Sequence, residues 1–185
     1  MTVDGALPGV QPMTDDVAAF EALVRQNDRW ILALASRLTG RVEDAQEVAQ
    51  EAFSRLHANR KSIGSDEQVR PWLRTVTVNL CRDLARKRAR SLVVVSEECV
   101  ALAAVDSNPE TDASDRQREE ILRAALLRLS EKERTALVLR ELEGLTTMEV
   151  AVITGVTEAA VRGDIMRARL KLRKLLAKRL GRQGQ

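Results

Sequence analysis

Arg162, Arg169 and Arg173 fall on one row of a helical stretch, and Arg167, Lys171, Lys174 and Lys178 fall on a second. Cations at this spacing neutralise phosphates. A helix entering the major groove offers its N-terminal side chains to base edges, and here those are Glu158, Ala159 and Arg162. Arg167, Arg169, Lys171 and Arg173, further along, are placed for the backbone. A second basic stretch lies upstream. Arg82, Arg86 and Arg90 recur every four residues, with Lys87 and Arg88 beside them. Trp72, Val76, Asn79 and Asp83 follow one line of the same stretch, where the short amide of Asn79 can hydrogen-bond a base edge. Other chemistry is thin. His57 is the single histidine, and Cys81 and Cys99 match neither a zinc spacing nor a disulfide framework. No activating pattern surrounds either thiol. No metal, cofactor or catalytic set is expected, and the chain is not read as an enzyme.

The charge distribution supports contact with a polyanion. The net charge is only +3, but residues 70–90 hold seven Lys/Arg against one Asp/Glu, and residues 160–185 hold nine against one. Between them, residues 91–115 hold six Asp/Glu and no Lys/Arg. Two basic blocks flanking an acidic segment fit two contacts with nucleic acid. Solvated helix faces would give the same counts.

These side chains need helices to position them. The 185 residues are 44% hydrophobic but only 2% aromatic, with no tyrosine, so an all-β fold is disfavoured. An all-α fold is expected. Helical periodicity begins near Asp15, with Val17, Phe20, Leu23, Val24, Trp30, Ile31, Leu34 and Leu38 on one stripe and Gly40 as the stop. A second helix fits Val42 to about Asn59, and Asn59 to Gln68 reads as a loop. Pro71 suits the first turn of a third helix running to about Arg90.

Ser91 to Ser114 breaks the pattern and reads as a linker, with Leu92 to Val95 as a short strand or docking segment. A helix follows over Asp115 to Leu129. Ser130–Glu133 and Thr146–Glu149 are two capping boxes. From Thr147 to Arg169 the spacing is that of a helix-turn-helix, with Gly155 and an inward Val156 in the turn and Thr157 capping the last helix. Met1 to Met13 carries no positive charge and is broken by Pro8 and Pro12, so it is not read as a signal peptide. No run approaches a membrane span, and a cytoplasmic location is expected.

Three stretches, in order, resemble the extracytoplasmic-function (group IV) sigma factors of bacterial RNA polymerase. They are Glu43–Phe53, Pro71–Arg88, and Leu129 through Thr146 followed by Val161–Arg173. The resemblance implies a tail (1–14), sigma region 2 (15–90), an acidic linker (91–114) and sigma region 4 (115–185). It implies that Asp44, Glu47, Gln50 and Glu51, an acidic face beside an apolar stripe, dock on core polymerase. It implies that the third helix, with Trp72, Asn79, Arg82, Asp83, Arg86, Lys87 and Arg88, melts and reads the −10 element. The preceding loop, with Ser62, Gly64 and Ser65, would capture a flipped base. The last helix would bind the −35 element.

The function so implied is an alternative sigma factor, with core polymerase, promoter DNA and an anti-sigma factor as partners. Two other readings stand beside it: a stand-alone helix-turn-helix regulator, and a helical adaptor that binds no DNA. The chain departs from the family at Gly163-Asp164, where Ser-Arg is frequent, and at Thr147, where Tyr is common nearby. Glycine weakens a helix by roughly 1 kcal/mol and Asp164 repels phosphate.

Overall fold

The computed structural model describes residues 13–91 and 113–180, which form seven α-helices and no strand. Residues 1–12 of the expected tail and 92–112 of the expected linker, with Leu92–Val95 and Cys99, lie outside the described residues, whereas Met13–Thr14, Ser91 and Ala113–Ser114, expected in the tail and linker, belong to helices.

Helix α1 (Met13–Thr39) buries Leu23, Ile31, Leu34, Ala35 and Leu38, while Val17, expected on the same stripe, lies in its first turns, ahead of the buried stretch, and is 56% exposed. Gly40 stops the helix at φ 83° and donates to the Ser36 carbonyl at 2.9 Å. A side chain there would be strained, and its Cβ would lie 2.2 Å from Cδ2 of Leu127. Helix α2 (Val42–Asn59) packs through Ala45, Val48, Ala49, Ala52 and Leu56, whose small members let α1 approach closely. Phe20 meets His57 edge to face at 4.9 Å, which places the single histidine in a structural contact.

Helix α3 runs from Asp66 to Ser91, so it starts five residues before Pro71. Pro71 lacks the N–H that would bond the Glu67 carbonyl, but Glu67 is exposed in the first turn and water can serve it. Asp66 and Glu67 favour a helix start electrostatically, and buried Val69 anchors the added turn. The Arg60–Ser62 segment is a short 3-10 turn rather than open loop.

The second half contains α4 (Ala113–Leu126), α5 (Glu131–Leu137), α6 (Thr147–Thr154) and α7 (Glu158–Leu180). Helix α4 stops three residues before the expected Leu129, in a turn. Both capping boxes form, at Ser130–Glu133 and Thr146–Glu149. Helix α5 passes directly into a π-helical turn, Val138–Leu142, which the sequence did not signal.

Two apolar clusters result. One lies among α1, α2 and α3 around Ile31, Ala52, Leu56 and Leu73. The other joins both halves: Leu34, Leu38, Val48, Val78 and Cys81 share it with Leu126, Leu137, Val138, Val150, Val161 and Ile165. Each large apolar side chain so buried contributes about 1.5–3 kcal/mol. An exposed ion pair contributes about 0–1 kcal/mol. The halves are joined by the shared cluster together with the Arg74–Glu143 and Arg82–Glu131 pairs, which are largely covered.

Candidate nucleic-acid interface

The helix-turn-helix is set by its caps. The Glu149 N–H donates to Thr146 Oγ1 at 3.2 Å, and the Thr146 N–H donates to Glu149 Oε2 at 2.7 Å. The Thr146 N–H, and then the Thr146 hydroxyl, which also donates to Glu149 Oε2 at 2.7 Å, hold the Glu149 carboxyl below its ordinary pKa. Gly155 turns the chain at φ 67° and donates to the Ala151 carbonyl at 2.9 Å. Thr157 Oγ1 accepts from the Ala160 N–H at 3.2 Å and caps α7. Val150, Val161, Ile165 and Ala168 are buried between the helices. Val156, expected inward, is 37% exposed, because the left-handed Gly155 swings the turn away from the core.

On α7 the cations face outward but are held by carboxylates. Arg162 Nη1 donates to Glu158 Oε1 at 2.5 Å, and Thr147 Oγ1 donates to the same oxygen at 2.6 Å. Glu158 thus aims Arg162 and ties α6 to α7. Arg167 pairs with Asp164 at 2.6 Å, so the departure at Gly163-Asp164 supplies a counterion rather than a bare negative charge. Arg169 pairs with Glu141 at 2.5 Å, and Lys171 reaches both oxygens of Glu133. Arg167, Arg169 and Lys171 remain more than half exposed. Ala159 and Arg173 are exposed on the same helix.

In the first half, Glu47, Gln50 and Glu51 are exposed on α2. Glu51 pairs with Arg55 at 2.8 Å. Asp44 differs: it is buried and ion-paired to Arg88, so these two candidates neutralise each other. Asn79, Asp83, Arg86 and Lys87 are exposed on α3, with Asp83 and Arg86 3.4 Å apart. Trp72 is half-buried against the first cluster. Ser62, Gly64 and Ser65 are exposed beside α3, ordered by Gln68, whose Oε1 accepts from the Gly64 N–H at 3.2 Å.

Arg82 faces the second half. Its Nη1 donates to the Thr154 carbonyl at 2.7 Å, and its Nε lies 3.2 Å from Glu131. Trp30, Arg70, Arg74 and Glu143 also gather between the halves, and sequence spacing gave no sign of them. Trp30 Nε1 donates to both Glu143 oxygens, at 3.1 and 2.9 Å, and Arg74 Nε donates to Glu143 Oε2 at 3.3 Å. The Arg70 guanidinium sits 4.6 Å above the Trp30 ring. Cys81 lies buried nearby, and burial pushes its pKa to about 12 against the opposing charge of Arg134. Among the described residues, no group of His, Cys, Asp and Glu is placed to hold a metal ion, and no helix is long and apolar enough to cross a membrane.

Comparison with known proteins matches both halves. Sigma-70 region 2 matches residues 23–91, and Sigma-70, region 4 matches residues 119–172. The ECF RNA polymerase sigma factor SigE of Mycolicibacterium smegmatis is 36% identical over 171 residues, which span 89% of this chain and 65% of SigE. The ECF RNA polymerase sigma factor SigM of Mycobacterium tuberculosis is 32% identical over 162 residues, 87% of this chain and 79% of SigM. The fold resembles that of the sigma factor RpoE solved with the anti-sigma factor NepR from Bartonella quintana. The TM-score is 0.66 over 86% of this chain and 97% of that one, at 24% identity.

Proposed function

Because the chain belongs to the sigma-70 family, in its extracytoplasmic-function branch, we propose that it is an alternative sigma factor, not an enzyme, that binds core RNA polymerase and directs promoter recognition, melting and initiation. The observation that carries this reading is the pairing, in one chain, of two separate DNA-suited helices. Helix α7 presents Arg162 at its start with phosphate-suited cations behind it, and α3 presents Asn79 beside Arg86 and Lys87. A stand-alone repressor has use for only the first.

In this reading, residues 15–90 engage polymerase through Glu47, Gln50 and Glu51 and the −10 element through α3 and the Ser62–Ser65 segment. Residues 115–185 engage the −35 element. Residues 91–114 connect them. The protein works in the cytoplasm, where polymerase is, and an anti-sigma factor restrains it.

Run-off transcription with core polymerase on a genomic promoter library tests the reading. Transcripts that depend on the protein and share two spaced motifs are expected. Duplex binding without any dependent transcript would transfer the protein to the stand-alone regulators.

A further inference from the structure

We propose that Trp30, Arg70 and Arg74 form a phosphate-binding site for a DNA strand, and that Glu143 of the second half occupies it in cis. The proposal rests on the reading of the chain as a promoter-binding protein.

The site has the donors that a phosphodiester needs. The indole N–H of Trp30 and Nε of Arg74 converge on one carboxylate, while Arg70 lies over the indole face. The two oxygens of a carboxylate stand in for the two non-bridging oxygens of a phosphodiester. Glu143 is only 5% exposed and Arg74 14%, so this pairing is made out of water, unlike the cation pairs on α7. With Glu143 removed, two guanidiniums would stand over one ring with no anion between them. A strand passing α3 supplies such an anion.

The covered site continues a longer line. Arg70, Arg74, Arg82, Arg86 and Arg90 recur on α3 at four-residue steps, interrupted only by Val78. The second half takes Arg74 through Glu143 and Arg82 through Glu131 and the Thr154 carbonyl. Arg86 and Arg90 stay exposed. A given Nε–H cannot serve a phosphate and Glu143 together, so strand binding and the closed packing exclude each other at these atoms. The π-helical turn and Gly144, at φ 71°, set the backbone from which Glu143 reaches across.

The full-length chain carrying Cys99→Ser, in which Cys81 is the remaining thiol, allows two readouts. The first is fluorescence anisotropy with a labelled single-stranded oligothymidylate, across a salt series. The second is the rate of Cys81 alkylation by N-ethylmaleimide, since Cys81 is buried in the cluster that the halves share. Glu143→Gln should tighten oligonucleotide binding about tenfold, an ordinary size for coupling between exclusive partners. It should also speed alkylation. Adding Arg70→Gln and Arg74→Gln should remove most of the gain and flatten the salt slope by about 1.4, for two phosphate contacts on a single strand.

An equal gain from Glu143→Gln with both arginines already replaced would overturn the proposal, because the gain would then be the loss of one negative charge. So would no gain in a variant of unchanged helicity. If Glu143→Gln does not fold, the unsubstituted Glu143 chain decides. Saturating oligonucleotide should speed Cys81 alkylation there, and an unchanged rate overturns the proposal. These measurements use the chain alone. Failure of run-off transcription would count against the sigma reading without altering their outcome.

Discussion

Lys171, midway along α7, donates to both carboxylate oxygens of Glu133, at 2.8 and 2.7 Å, and Glu133 is also the residue that closes the capping box of α5. One carboxylate therefore starts one helix and anchors another. The Lys171 bond is the main reason that the Glu133 pKa lies below its ordinary value of 4.5; burial opposes the shift, and the bonds with Ser130 reinforce it.

Glu133→Gln should therefore destabilise the protein by about 1.5–3 kcal/mol at neutral pH, the range for hydrogen bonds to a charged group. The carboxyl titrates lower in the folded chain than in the unfolded one, so its stabilisation is complete above pH 4.5 and fades as pH falls through the lower folded value. Urea melts at pH 7 and pH 3 should show the wild-type advantage shrinking at the lower pH. An advantage equal at both values would remove the charge from the explanation.

Asp44 and Glu47 should separate cleanly on substitution. Asp44 is buried against Arg88, so Asp44→Ala should cost about 3 kcal/mol by stranding a partly buried cation. Glu47→Lys with Glu51→Lys changes exposed positions, and it should weaken core polymerase binding while lowering stability only by about 0.5–1 kcal/mol, through the lost and reversed Glu51–Arg55 pair. Competition for core polymerase against the unsubstituted chain, beside circular dichroism melts, measures both.

Arg162→Ala should cost about 1–3 kcal/mol on the preferred −35 sequence and relax preference at one base pair. Arg173→Ala, at an exposed position of α7, should weaken specific and random duplexes alike and reduce their salt slope by about 0.9. Glu158→Ala should resemble a mild Arg162 variant, because Glu158 aims that guanidinium. Equal losses on specific and random DNA for Arg162→Ala would reassign it to the backbone.

Asn79→Ala should leave core polymerase affinity unchanged and lower open-complex formation, since Asn79 is exposed on α3 whereas the acidic candidates Glu47 and Glu51 are on α2. A template with a pre-melted bubble should restore much of the signal, because the unpairing cost is then already met. Permanganate reactivity of thymines on linear and bubble templates reads this directly.

Features that depend on near neighbours were legible in the sequence. Ser130 with Glu133, Thr146 with Glu149, and the glycine stops at 40 and 155 each involve a few consecutive residues, and their patterns have one good local solution. Pro71 misled because its preference for a first turn is a bias, and buried Val69 with the acidic pair before it outweighed that bias. The Trp30–Glu143 and Arg74–Glu143 contacts join residues 113 and 69 positions apart, and no periodicity encodes such a meeting. The exposure of the α7 cations was readable from helical spacing. Their carboxylate partners on α5 and the π turn were not, because they depend on how two elements cross.

The cluster that spans both halves has a consequence for the ribosome. When residue 91 has been made, Leu34, Leu38, Val48 and Val78 have Ala35, Ala45, Leu80 and Cys81 in their cluster but lack the members that run from Leu126 to Ala168. At roughly 5–20 residues per second, these side chains wait on the order of ten seconds for the rest of the chain. The nascent first half therefore passes through an interval with a wet apolar surface. Rare codons placed after position 91 would lengthen that interval and lower the soluble yield.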